Sequence, residues 1–119
     1  MFFMNGEHKH EIKSDLKGGF GDLDFKYIVP TDMMYGAGNF YAEVTFKPGQ
    51  SIGLHDHVDN FEIYYVLKGE ATVVDGNEER VLKPGESEIC ANGEFHSIAN
   101  KSNEDTVILA IILNNFDRK

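Results

Sequence analysis

The sequence predicts an all-β protein, a small antiparallel sandwich or barrel. Three observations carry that expectation. Short runs alternate apolar and polar residues with a period of two, most clearly Phe40, Ala42, Val44 and Phe46 against Tyr41, Glu43, Thr45 and Lys47. Turn residues (Gly, Pro, Asn and Asp) recur between those runs. No segment of helical length shows a convincing 3.6-residue period. Spacing of this kind favours two packed sheets or a closed barrel.

Residues 1–23 are mixed and read as an N-terminal segment, with 24–119 as the barrel domain. His8 and His10 are flanked by charged residues and read as solvated surface histidines. Gly18-Gly19-Phe20-Gly21 marks a backbone bend; no Lys-Ser/Thr pair and no helix follow, which argues against a phosphate loop. Asp24 to Val29 alternates as a strand and stops at Pro30, and Thr31 to Gly38 reads as a connecting loop. After the strand ending at Phe46, Lys47-Pro48-Gly49 has type II turn chemistry, repeated at Lys83-Pro84-Gly85. Glu70 to Val74 and Glu78 to Leu82 flank Asp75-Gly76-Asn77, a hairpin signal. Glu86 to Cys90, Phe95 to Ala99 and Thr106 to Leu113 complete the set of extended segments.

Composition narrows the class. A chain of 119 residues fits one domain, and 41% hydrophobic with 12% aromatic residues reads as globular. A net charge of −9 argues against nucleic acid and against an anionic membrane surface. The longest apolar run, Val107 to Leu113, is too short to span a bilayer, and Met1 to His10 lacks the pattern of a signal peptide. One cysteine cannot form an internal disulfide, so a cytoplasmic location is expected. Ile63, Tyr65 and Leu67 oppose Tyr64 and Val66, and Val107 to Ile112 is continuously apolar. Strands apolar on both faces in so small a chain predict a subunit interface, hence a homodimer.

The chemistry gathers in Gly49 to Gly69. His55 and His57 lie one residue apart and share a strand face, and Glu62 shares a face with Tyr64 and Val66. A carboxylate on an apolar face needs a buried charge to meet, and a metal ion would supply it. His96, in a strand after the tight turn Asn92-Gly93, is the fourth candidate ligand. Three neutral imidazoles and one carboxylate suit manganese, iron, nickel or zinc, and leave positions open for a small molecule. Cys90 reads as a small buried side chain, Glu86 and Glu88 as edge or surface charges, and Tyr41 and Tyr64 as candidates to line a pocket.

Gly49-x5-His55-x-His57-x4-Glu62-x6-Gly69 resembles the first motif of the cupin family at every defining position. Gly85-x5-Ala91-x-Gly93-x2-His96-x3-Asn100 resembles the second, with Ala91 where proline is usual. The resemblance implies a single-domain, double-stranded β-helix of jelly-roll topology, usually a homodimer. It also implies one divalent metal ion per subunit, held inside the barrel by His55, His57, Glu62 and His96, with a small-molecule ligand beside it.

Cupins include dioxygenases, isomerases, decarboxylases, sensors and storage proteins, so the fold leaves the activity open. The leading expectation is a metal-dependent enzyme acting on a small organic acid, sugar or enediol. The alternatives are a non-catalytic small-molecule binder or sensor, and a storage role in which metal only stabilises the barrel.

Overall fold

The computed structural model describes residues 1–115; the last four residues of the expected barrel domain lie outside that range. The strands are β1 (His10–Ser14), β2 (Asp22–Tyr27), β3 (Gly38–Phe46), β4 (Ser51–Asp56) and β5 (Asn60–Lys68). They continue with β6 (Ala71–Asp75), β7 (Glu78–Leu82), β8 (Ser87–Cys90), β9 (Phe95–Ala99) and β10 (Thr106–Asn114). Two short 3₁₀ turns, Leu16–Gly18 and Thr31–Met34, interrupt them.

A six-stranded sheet runs β1-β2-β3-β10-β5-β8 and faces a four-stranded sheet, β4-β9-β6-β7. β3 pairs with β10, β4 with β9, β5 with β8 and β6 with β7, all antiparallel. The nested pairing is that of one long hairpin, tipped by the β6–β7 turn and rolled up so that successive strands switch sheets. This is the sandwich or barrel that the residue pattern predicts, with the jelly-roll topology that the family resemblance implies.

Local chemistry sets the corners. Gly49 and Gly85 adopt φ of 86° and 91°, and Gln50 and Glu86 donate their backbone N–H to Lys47 and Lys83 at 3.0 and 2.9 Å. Both Lys-Pro-Gly copies are therefore type II turns. Between the sheets pack Leu23, Phe25, Ala42, Val44, Phe46, Tyr64, Val66, Ile98 and Ile108. Burying side chains such as Phe46 and Ile98 fully contributes about 1.5–3 kcal/mol each. Asn100, the last residue of the second motif, is buried and fully paired. Its amide donates to the carbonyls of Phe46 and Glu104, and its oxygen accepts from the N–H and hydroxyl of Ser102.

The N-terminal segment departs from expectation. His10–Ser14 forms a strand that extends the larger sheet by pairing with β2, in register His10 with Lys26. Its residues are mostly exposed, so β1 lacks the apolar alternation by which a half-buried strand is recognised. Tyr27 Oη donates to Glu11 at 2.5 Å, and His10 Nδ1 lies 3.0 Å from Asp24, tying the edge strand down. Neither His8 nor His10 approaches the other three histidines.

Candidate metal centre

His55 and His96 are directly paired across β4 and β9, while Glu62 projects from β5 in the facing sheet. His57 follows β4, where the turn after β8 holds it: Gly93 donates its N–H to the His57 carbonyl at 2.6 Å. Plain alternation along β4 would put Ile52 and His55 on opposite faces. A β-bulge between them, Gly53 and Leu54 on β4 against Ser97 alone on β9, turns Ile52 and His55 inward and leaves Leu54 exposed.

Four ligand atoms converge as a result. Glu62 Oε1 lies 3.4, 3.0 and 3.0 Å from the Nε2 atoms of His55, His57 and His96. His96 Nε2 lies 3.0 Å from His55 Nε2 and 3.2 Å from His57 Nε2. Nitrogen and oxygen ligands about 2.0–2.2 Å from one ion sit roughly 3 Å apart, so the spacing fits a shared cation.

The outer nitrogens agree. His55 Nδ1 faces the Gly53 carbonyl at 2.8 Å, His57 Nδ1 the Asn60 side-chain oxygen at 2.9 Å, and His96 Nδ1 the Glu88 carboxylate at 3.0 Å. Each partner is an acceptor, so each Nδ1 carries the proton and donates it. Three Nε2 lone pairs and a carboxylate then aim at one point, an arrangement that a cation satisfies. These residues could hold a metal ion.

The electrostatics follow from burial and contact. Burial alone would raise the Glu62 carboxyl, but its contacts with the His55, His57 and His96 imidazoles hold it well below the usual carboxylate range. Burial also works against a charged His96, and the flanking carboxylates of Glu62 and Glu88 overcome it, lifting the imidazole to about 9. In the absence of a metal, a proton on His96 therefore offsets part of the carboxylate charge. Burial pushes the Tyr64 phenol well up; its ring stacks on His96, centroids 4.6 Å apart, and its hydroxyl is buried with no hydrogen-bond partner among the described residues.

Residues 42–112 match the family model described as a cupin domain. The chain belongs to the cupin family. It is 34% identical over 113 residues to an oxalate-binding protein from Thermotoga maritima, covering 95% of this chain and 93% of that one. A crystal structure from Thermotoga maritima, of a predicted oxalate decarboxylase, superposes with a TM-score of 0.89 at 33% identity, covering 96% of this cupin and 99% of that chain. KdgF from Halomonas sp. shares the fold at a TM-score of 0.75 and 23% identity, over 98% and 96% of the two chains.

A cavity of about 300 Å³ opens from the centre of this cupin, lined by His55, His57 and Glu62 and by Lys13, Phe25 and Phe40 among others. Of the tyrosines considered from the sequence, Tyr64 lines the cavity; Tyr41 alternates with the inward Ala42 and faces away. Glu88 corrects the sequence reading. It is no surface charge, because its side chain is 8% exposed and caps His96. In the sequence its inward face was hidden by the short β8, whose partner Tyr64 reveals it only through cross-strand pairing. Cys90 is buried as expected; burial pushes its thiol up to about 12, which keeps it protonated and a poor metal ligand beside Glu88 and His96.

Proposed function

We propose that this cupin is a metal-dependent protein acting on a small organic acid of the oxalate class, with His55, His57, Glu62 and His96 as the ligands of one divalent ion. Manganese, iron, nickel and zinc all suit the ligand set. The observation that carries the reading is the convergence of four ligand atoms with every Nδ1 proton already committed outward. When bound, the ion supplies Lewis-acid polarisation of the acid's carboxylates. The four residues serve as ligands, and Phe25, Phe40 and Ile112 keep water scarce around a bound acid.

The similarity to an oxalate-binding protein and to a predicted oxalate decarboxylase supports oxalate as the first compound to test. Binding without turnover is the second reading, favoured by the description of the first of these relatives. Elemental analysis of protein purified without added metal should find about one transition-metal ion per chain. Calorimetry with oxalate should show binding to the loaded protein only, and carbon dioxide release separates decarboxylase from binder. His57→Ala should lose most of the metal; full stoichiometric metal in that variant would refute the ligand set.

The reading extends to assembly. Ile63, Tyr65, Ile89, Leu109 and Ile111 lie side by side on the outer face of β5, β8 and β10, in register Leu109 with Tyr65 and Ile63 with both Ile111 and Ile89. Tyr65 and Ile89 are 40% and 51% exposed. Such a patch in a cupin of this size supports a second copy as its cover. Among the described residues, no helix is long and apolar enough to cross a membrane. A single free thiol suits the reducing cytoplasm.

A further inference from the structure

Lys13 on β1 reaches the cavity that leads to the candidate metal centre. Its ammonium stands 4.7 Å from the Phe25 ring centroid and 5.5 Å from that of Phe40, both cavity walls. Among the described residues, Lys26, Lys47, Lys83 and Arg80 pair with carboxylates, whereas Lys9, Lys13, Lys17, Lys68 and Lys101 form no ion pair, and of these only Lys13 and Lys17 line the cavity. With Glu11 close enough to feel its charge but outside ion-pair distance, half-buried Lys13 on the cavity wall is free to meet an anion. The aromatic faces hold the cation in place without neutralising it.

The charge of the lining points the same way. Lys13 and Lys17 contribute two positive charges and Asp56 and Glu62 two negative ones. With the imidazoles neutral, a divalent ion leaves the cavity with two positive charges, the complement of a dianion. A short dicarboxylate that chelates an ion through one oxygen of each carboxylate keeps two oxygens free, and a positioned ammonium can pair with them.

We propose that Lys13 is a specificity-determining residue that pairs with the uncoordinated carboxylate oxygens of a short dicarboxylate, so that the N-terminal segment completes the ligand site. This rests on the reading of His55, His57, Glu62 and His96 as a metal centre for an acid of the oxalate class, and it adds the residue that selects the dianion. β1 carries Lys13, and the following 3₁₀ turn is held on β4 by the close approach of Lys17 to Gly53.

The test uses the full chain loaded with manganese, titrated calorimetrically with oxalate and with oxamate, its monoanionic analogue of similar shape. Wild type should prefer oxalate. Lys13→Met keeps the stem over the rings and removes the charge. It should lower oxalate affinity roughly ten- to hundredfold and erase the preference over oxamate, with manganese content unchanged. Lys13→Arg should retain most of the affinity. Wild-type oxalate affinity in Lys13→Met at full metal content overturns the role of Lys13 and leaves the metal centre standing, as does a loss carried wholly by Lys17→Met. Failure of the wild type to take up a transition metal overturns the underlying metal reading, and the proposal with it.

Discussion

Glu88 and Asn60 act on the centre through the far nitrogens of His96 and His57, a task that the Gly53 carbonyl performs for His55. Glu88 differs from the other two in carrying charge. Its carboxylate fixes the tautomer of His96 and makes that imidazole a stronger donor. Glu88→Ala should therefore weaken metal affinity roughly ten- to hundredfold in a chelator competition, with far-UV circular dichroism unchanged. Glu88→Gln, which keeps an oxygen acceptor, should lose less. Equal affinity in Glu88→Ala and wild type would show that His96 is held by its stacking on Tyr64 alone. These residues were partly legible in advance. A histidine pair and a glutamate on an apolar face announce themselves by type and spacing. An acceptor that meets a ligand from a neighbouring strand does not, because register decides which carboxylate arrives.

Among the elements, the N-terminal 3₁₀ turn packs against β4 and lends Leu16 and Lys17 to the cavity wall. Gly19 and Gly53 allow the two backbones to touch: a Cβ on Gly53 would collide with the Lys17 carbonyl, and one on Gly19 with that of Ser51. Within the glycine run, Gly19 thus serves close packing, while Gly21 turns the chain with φ of 96°. Gly53→Ala should destabilise the fold by about 1–3 kcal/mol in urea titration. It should also weaken oxalate binding, because displacing the turn moves Lys17 and strains the carbonyl that orients His55. Unchanged stability would mean the turn is free to lift from β4. Local patterns foretold β7 and β9 to the residue; they missed β1, whose stability comes from pairing to β2 rather than from an apolar face.

For the whole molecule, the outer face of the larger sheet is the feature that a single chain leaves unexplained. If a second copy covers it, wild type should sediment as a dimer, and Tyr65→Glu with Leu109→Glu should shift it to monomer while metal content holds. A monomeric wild type at micromolar concentration would remove the argument. Apolar alternation on both sides of β5 and β10 predicts such a surface from the sequence, since water-facing strands rarely carry branched and aromatic residues on each face.

By itself the sequence determined the strands from β2 onward, the turn types, the four candidate ligands and the family, because these depend on residue identity at short spacing. Tertiary structure alone decided the β4 bulge that turns His55 inward, the carboxylate of Glu88 behind His96, and the placing of Lys13 at the cavity. Those depend on which strand lies beside which. Residues 55, 62, 88 and 96 meet only when the long hairpin has rolled up, and no local propensity encodes the register of that closure.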